Sequence, residues 1–262
     1  MKSLMKIIMQ KPITHRGLHD YNNGIIENSP SAFEAAINSG YAIECDLQFT
    51  KDEKAIIFHD ATLERLTNKQ GKTSDISLKQ ATNMTLKNSA NNDKILSLAQ
   101  MLKQVNGRAT IVLELKMQTD GRNDLFAKAV VHDLKNYQGS VAIISFVPEI
   151  LLSVKKYGFK GPVGVIVERF IHEKAQQLLT QKQRFYLRHL LHYPKTKFDF
   201  VDADHNALDL PAVKLFRALG FPIMTWTIKS QVEADEALKW CDQITFEGFI
   251  PKQTSEDNNE PI

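Results

Sequence analysis

Residues 97–115 read SLAQMLKQVNGRATIVLEL, and this stretch decides the fold. Ser97 to Val105 has the amphipathic period of a helix, and Thr110 to Leu115 is a short strand-like run. The continuous apolar IVL within it suits a strand covered on both faces, as strands of parallel sheets are. Working outward, strand-like runs occur at Ile13–His15, Ala42–Phe49, Ala55–Phe58, Val141–Phe146, Val163–Val167, Phe198–Val201, Ile223–Ile228 and Gln243–Phe246. Helical patterns separate most of them, at Pro30–Ser39, Asn123–Lys135, Pro148–Tyr157, Glu173–Thr180, Leu210–Leu219 and Gln231–Trp240. Repeated strand–helix alternation predicts parallel strands joined by crossovers. A chain of 262 residues fits one α/β domain of the TIM-type (β/α)8 barrel class better than an open doubly wound sheet.

Two features strain this reading. The link Thr50–Lys54 is too short for a helical crossover, and the runs number nine rather than eight. Either one run lies outside the barrel wall or the barrel lacks a helix there. Ala61–Lys94 is rich in Thr, Asn, Lys, Gln and Ser and reads as a small polar insertion after the third strand. The expected organisation is therefore one catalytic barrel over 1–251, interrupted by the insertion at 61–94, with a flexible, charged tail over 252–262. For the first barrel helix, Ser29 is the expected cap, Pro30 the first helical residue, Ser31 with Glu34 a capping box, and Gly40 the stop.

Composition narrows the function. Hydrophobic residues make up 43% and charged residues 24% of the chain, enough for a sizeable core without covalent staples. A formal net charge of +3, without basic runs, argues against a nucleic-acid footprint. Cys45 and Cys241 form neither a disulfide framework nor a zinc spacing and read as core thiols in a reducing compartment. No segment has the length to cross a bilayer, and the N-terminal MKSLMKIIMQK is broken by Lys6 and Lys11. The expected location is the cytoplasm.

The chemistry sits at strand ends. Glu44 and Asp46 alternate about Cys45, so both carboxylates face one way while Cys45 faces the helices. Glu114 and Lys116 repeat the spacing on another strand. Acids inside apolar strands are costly to bury unless paired. One divalent cation offsets that cost, and an all-oxygen donor set selects Mg²⁺ or Ca²⁺. Alone, Glu44 and Asp46 read equally as solvated strand-end acids that meet Lys or Arg, and Glu114 with Lys116 reads better as a salt bridge; both at the ends of different strands point to a site, because barrel active sites form at the C-terminal strand ends. His15 and His59 also end strand runs, where one imidazole can take a proton and the other give one. Arg16 has a fork suited to phosphate oxygens, and Gly17 allows a close backbone approach. Of the eight histidines, His132, His172, His189 and His192 read as ordinary, while His19 and His205 stay undecided.

In order along the chain stand THRGLHD at 14–20, ENS at 27–29, AF at 32–33, ECD at 44–46, TKD at 50–52, FHD at 58–60 and TLERLT at 62–67. Later come ELK at 114–116, SF at 145–146 and WTI at 226–228. This series resembles the glycerophosphodiester phosphodiesterase family over nearly the whole chain, most closely in its first quarter. The resemblance implies metal-dependent hydrolysis of a glycerophosphodiester to glycerol 3-phosphate and an alcohol. It makes His15 and His59 the general acid and base, and Glu44, Asp46 and Glu114 the ligands of one divalent cation. Arg16 and Lys116 bind the phosphate, Trp226 lines the alcohol side, and Glu27 and Asn28 support the site. Capping is an equally good account of Glu27 and Asn28, and a core position of Trp226. The chain departs from the family pattern at Ile26 (often Pro), Glu53 (often Gly) and Thr245–Phe249, where Glu247 stands in place of the commoner Thr-Asp pattern and has no assigned role.

The rival readings are the same chemistry on a lysolipid, an inactive barrel that binds a phosphoester, and a metal-dependent barrel isomerase or aldolase. The complete set His15, Arg16, Glu44, Asp46, His59 and Glu114 disfavours the inactive barrel, and His-Arg-Gly with a phosphate-binding pair disfavours the isomerase or aldolase. The oligomeric state is not encoded in any pattern.

Overall fold

A computed structural model describes residues 2–252; the tail expected to fray lies outside them from 253 onward. The strands are β1 (Ile13–Thr14), β2 (Ala42–Phe49), β3 (Ala55–Ile57), β4 (Ile111–Leu115), β5 (Val141–Ser145), β6 (Val163–Val167), β7 (Phe200–Asp204), β8 (Ile223–Ile228) and β9 (Gln243–Phe246). Eight of them run parallel in the cyclic order β1-β2-β4-β5-β6-β7-β8-β9, closed by β9 pairing with β1. The ninth, β3, pairs antiparallel with β2, Leu47 opposite Ile57. This resolves the supernumerary run: the five-residue link is a hairpin turn, and β3 is an arm folded against the outer half of β2. The expected His59 position at the end of a wall strand is corrected accordingly, since the arm, not the wall, carries it to the mouth.

The helices are α1 (Lys2–Ile8), α2 (Pro30–Asn38), α3 (Leu78–Thr82), α4 (Leu98–Val105), α5 (Asn123–Leu134), α6 (Pro148–Lys156), α7 (Glu173–Leu178), α8 (Gln181–Arg188), α9 (Tyr193–Thr196), α10 (Pro211–Ala218) and α11 (Gln231–Ala237). Alternation along each strand builds two cores. Ile43, Cys45, Leu47, Leu113, Ile143, Val165 and Val201 face outward to the helices, whereas Ala42, Val112, Ile144, Ile166, Phe200 and Met224 fill the lumen. Met5 and Ile8 of α1 pack into that lumen cluster with Ile13, closing the end of the barrel opposite the site. Burial of these large side chains, at roughly 1.5–3 kcal/mol each, is the main stabilising term.

Ser29 caps α2, accepting from the Ala32 amide. The expected Ser31–Glu34 box does not form: Ser31 donates to Asp93, and Glu34 pairs with Arg108 of the α4–β4 link. The insertion is not merely polar, because Leu63, Leu66, Ala81 and Leu86 make a small core with Ile26, Ile56, Phe58 and Ile95. β7 also extends past the Phe198–Val201 run to Asp204. Its lumen-facing acids Asp202 and Asp204 interrupt its apolar pattern, as Glu44 and Asp46 do in β2 and Glu114 in β4.

Candidate active site

The parallel strands bring their C-terminal ends to one mouth, and the acids of β2 and β4 meet there. Asp46 lies in register with Glu114, and ligand oxygens of Glu44, Asp46 and Glu114 fall within 4.8 Å of one another. Glu44 Oε1 is buried and accepts no hydrogen bond. Burial and the neighbouring charge of Asp46 push the Glu44 carboxyl well above its ordinary range, and burial raises that of Glu114. Asp46 is also buried, but Lys116 and the adjacent His59, Arg16 and His15 hold its carboxyl well below the usual range. A buried, all-oxygen, mutually repelling triad with an unsatisfied oxygen fits a hard divalent cation. Among the protein's own groups, Lys116 supplies the countercharge: its Nζ lies 2.7 Å from both Asp46 Oδ1 and Glu114 Oε1.

Arg16 leaves β1 in the left-handed region, φ +60°. Its amide donates to Glu44 Oε2 at 2.9 Å and its guanidinium to Glu27 at 2.8 Å, with Nε 3.3 Å from Asp46. Gly17 follows at φ +79°, and a Cβ there would lie 2.9 Å from Ala32 Cβ, so only glycine admits this turn against α2. Asn28 donates to Asp46 Oδ2 at 2.8 Å and accepts from the Asp46 amide at 3.2 Å. That side chain anchors a triad carboxylate instead of capping a helix; Ser29 does the capping.

The two histidines approach the triad from different supports. His15 follows β1, and its Nδ1 lies 2.5 Å from Glu247 Oε2 at the end of β9. Burial lowers the His15 imidazole and the Glu247 hydrogen bond opposes that; the same bond holds Glu247 at about 2. His59 follows the β3 arm, its carbonyl held by Gln48 Nε2 at 2.9 Å and its Nδ1 2.6 Å from Asp60 Oδ1. Arg65 of the insertion then grips Asp60 and Glu27 together, with contacts of 2.6–3.1 Å. Burial raises Glu27, yet the Arg65 hydrogen bonds and the Arg16 charge outweigh it and hold the carboxyl at about 2; Tyr21 donates to it as well. Both imidazoles therefore have Nδ1 engaged by a carboxylate, which leaves Nε2 of each for chemistry.

Opposite the acids, Trp226 stands edge-on to Phe146 (5.8 Å between centroids), and Phe146 to Phe170 (6.2 Å). This aromatic wall comes from the ends of β5, β6 and β8. Trp226 is partly exposed there, with its Nε1 3.4 Å from the Asp202 carbonyl. His19 lies 4.0 Å from Glu247 and His205 lines a separate cleft of about 450 Å³ with Asp209, Glu233 and Trp240. The sequence patterns left three participants without a role. Glu247 is 232 residues from its histidine; Asp60 and Arg65 stood in the quoted motifs FHD and TLERLT, but only the fold shows what they hold.

Known proteins resemble this chain in sequence and in fold. The profile of the glycerophosphoryl diester phosphodiesterase family matches residues 15–252. Bovine glycerophosphodiester phosphodiesterase 1 is 31% identical over 153 residues, 55% of this chain and 45% of the bovine protein, so the chain matches less than half the length of that relative. A glycerophosphodiester phosphodiesterase of Bacillus subtilis is 25% identical over 247 residues, 87% of this chain and 80% of its own. Among solved structures, a phosphodiesterase of Oleispira antarctica in complex with the product sn-glycerol-3-phosphate superposes with a TM-score of 0.74 at 19% identity, covering 90% of this chain and 91% of that one. A glycerophosphodiester phosphodiesterase of Parabacteroides distasonis gives 0.69 at 22% identity, with 90% and 92% covered. At these identities the structural matches establish the (β/α)8 fold.

Proposed function

Because the chain belongs to the glycerophosphoryl diester phosphodiesterase family, we propose that it hydrolyses glycerophosphodiesters to glycerol 3-phosphate and an alcohol by divalent-cation-assisted acid/base catalysis. The single observation that carries this reading is the convergence on one mouth of three carboxylates within 4.8 Å and two carboxylate-held imidazoles.

Glu44, Asp46 and Glu114 would hold one Mg²⁺ or Ca²⁺, which supplies Lewis-acid stabilisation of negative charge on the phosphoryl oxygens. Arg16 and Lys116 stand at the edge of the triad and neutralise the non-bridging oxygens of the bound phosphate. Of the two free imidazole nitrogens, one takes the proton of the nucleophile, either water or a neighbouring glycerol hydroxyl whose cyclic phosphate water then opens, and the other protonates the departing alcohol. Glu247 and Asp60 keep each ring in the tautomer and orientation that present Nε2. Trp226 and Phe146 line the side where the alcohol leaves. The two free cysteines are buried, and the reading keeps the cytoplasm as its location. Among the described residues no helix is long and apolar enough to cross a membrane.

The test is a panel of glycerophosphodiesters and monoacylated lysolipids assayed with Mg²⁺ or Ca²⁺ and again with a chelator. Release of glycerol 3-phosphate that the chelator abolishes is the expected outcome. If no member of the panel yields glycerol 3-phosphate with either cation, the reading is wrong; if turnover persists undiminished under chelation, the cation role is.

A further inference from the structure

Between β6 and β7 the chain makes its longest excursion after the insertion, residues 168–199, carrying α7, α8 and α9. A barrel crossover needs one amphipathic helix whose apolar stripe faces the sheet. Here α8 has no buried residue at all. Ile171, Leu178, Phe185, Tyr186 and Leu191 stand 64%, 53%, 51%, 38% and 50% exposed, although Leu187 and Leu190 in the same segment pack on the main core. At 3.6 residues per turn, Lys182, Phe185 and Arg188 share the face of α8 turned away from Leu187.

Charge decides what covers this surface. Residues 181–197 contain Lys182, Arg184, Arg188, Lys195 and Lys197 and no acidic residue, while the whole chain has a formal net charge of only +3. The net positive charge of the protein is thus concentrated on the element that exposes aromatic and aliphatic side chains. None of Lys182, Arg184, Arg188 or Lys195 has an ion pair recorded among the described residues. The combination of exposed Phe, Tyr and Leu with interleaved Lys and Arg is the composition of an interfacial segment that rests on anionic lipid. The excursion also starts at the mouth: Phe170 at its root belongs to the aromatic wall beside Trp226.

We propose that the β6–β7 excursion is a membrane-surface docking element, which seats the barrel on anionic phospholipid through Phe185, Tyr186 and Leu191 with Lys182, Arg184 and Arg188 at the headgroups. The proposal needs no step of the hydrolytic reaction, so it stands or falls on binding alone. It gives the site a preferred supply of phosphodiesters generated at, or still anchored in, a bilayer leaflet.

The experiment is co-sedimentation of the purified protein with vesicles of phosphatidylcholine and phosphatidylglycerol in equal parts, and with phosphatidylcholine alone, at low and high salt. Capture by the anionic vesicles is expected, falling at high salt and about tenfold lower on the zwitterionic ones. F185E/Y186E and, separately, K182E/R184E/R188E are expected to lose capture, the latter by about fivefold per basic residue removed. Both alter exposed or half-exposed side chains, and unchanged circular dichroism together with unchanged turnover of a soluble glycerophosphodiester certifies that they fold. Absence of capture at low salt, equal capture on both vesicle types, or full capture of folded variants overturns the proposal. A dimer in sedimentation equilibrium that F185E/Y186E dissolves also overturns it, since a second copy then covers the face.

Discussion

The two histidines differ in how the fold supports them. His15 stands on a strand of the closed wall, and its carboxylate partner Glu247 comes from the opposite end of the chain. His59 hangs from an antiparallel arm outside the wall, and its partner is the next residue, Asp60. Their carboxylates also differ in electrostatic freedom. Asp60 shares its charge with Arg65 through contacts of 2.6 and 3.1 Å, whereas the other basic groups paired with Glu247 among the described residues, His19 and Lys229, each lie 4.0 Å away. A carboxylate already neutralised by a close guanidinium stabilises an imidazolium less than one whose other cations lie farther off. The wall therefore gives His15 a carboxylate that no guanidinium grips, whereas the arm gives His59 one shared with Arg65.

The largest expected effects treat the pair as equals. His15→Ala and His59→Ala each remove a proton-transfer group, and each is expected to lower kcat by about a thousandfold, read as release of glycerol 3-phosphate. Should one variant retain near-full turnover, that imidazole is no participant and the comparison has a single member.

The next step separates them. Glu247→Gln keeps the shape but removes the charge, and a fall in kcat of about a hundredfold with little change in KM is expected. Since the Glu247 hydrogen bond raises the His15 imidazole against the effect of burial, its loss lets that imidazole fall further. The pH–rate limb belonging to His15 then moves to lower pH. Asp60→Asn is expected to cost only about tenfold, because Arg65 already cancels much of the Asp60 charge. Equal losses in the two variants would break the proposed asymmetry.

This asymmetry also marks what the sequence made legible. The barrel was readable because the strands of a parallel wall are covered on both faces and advertise it with apolar runs such as IVL and GVIV. The triad was readable because strand alternation fixes which residues share a face, so Glu44 and Asp46 had to point together. The His59 partnership is local, written in adjacent residues. Glu247 was not readable, because the closure of β9 on β1 is a global property of the barrel, and no local spacing connects residue 15 to residue 247. β7 was cut short for a related reason: Asp202 and Asp204 break its apolar run because they face the mouth. Arg65 carries no signal of its own, because the polar composition of the insertion hides the small core that fixes where Arg65 points.

The smallest effect tests the far end of the arm's support, Glu27. Its carboxyl ordinarily titrates near 4.5 and is held at about 2, so folding favours the charged form. The resulting stability is fully present above about pH 4.5 and is lost as pH falls towards about 2. A shift of that size corresponds to roughly 3 kcal/mol; Arg65 is 43% exposed, and screening brings the expected contribution to about 2 kcal/mol. Glu27→Gln should therefore lower the melting temperature at neutral pH and flatten its decline between about pH 4.5 and pH 2.5, as thermal melts across that range will show. Turnover should change by no more than about threefold, because Arg65 keeps its grip on Asp60 when Glu27 is neutral. A much larger loss of kcat, with KM unchanged so that Arg16 is not the cause, would mean that Glu27 holds His59 in place through Arg65. The arm would then depend on long-range support as fully as the wall does, and the difference between the two histidines would reduce to geometry alone.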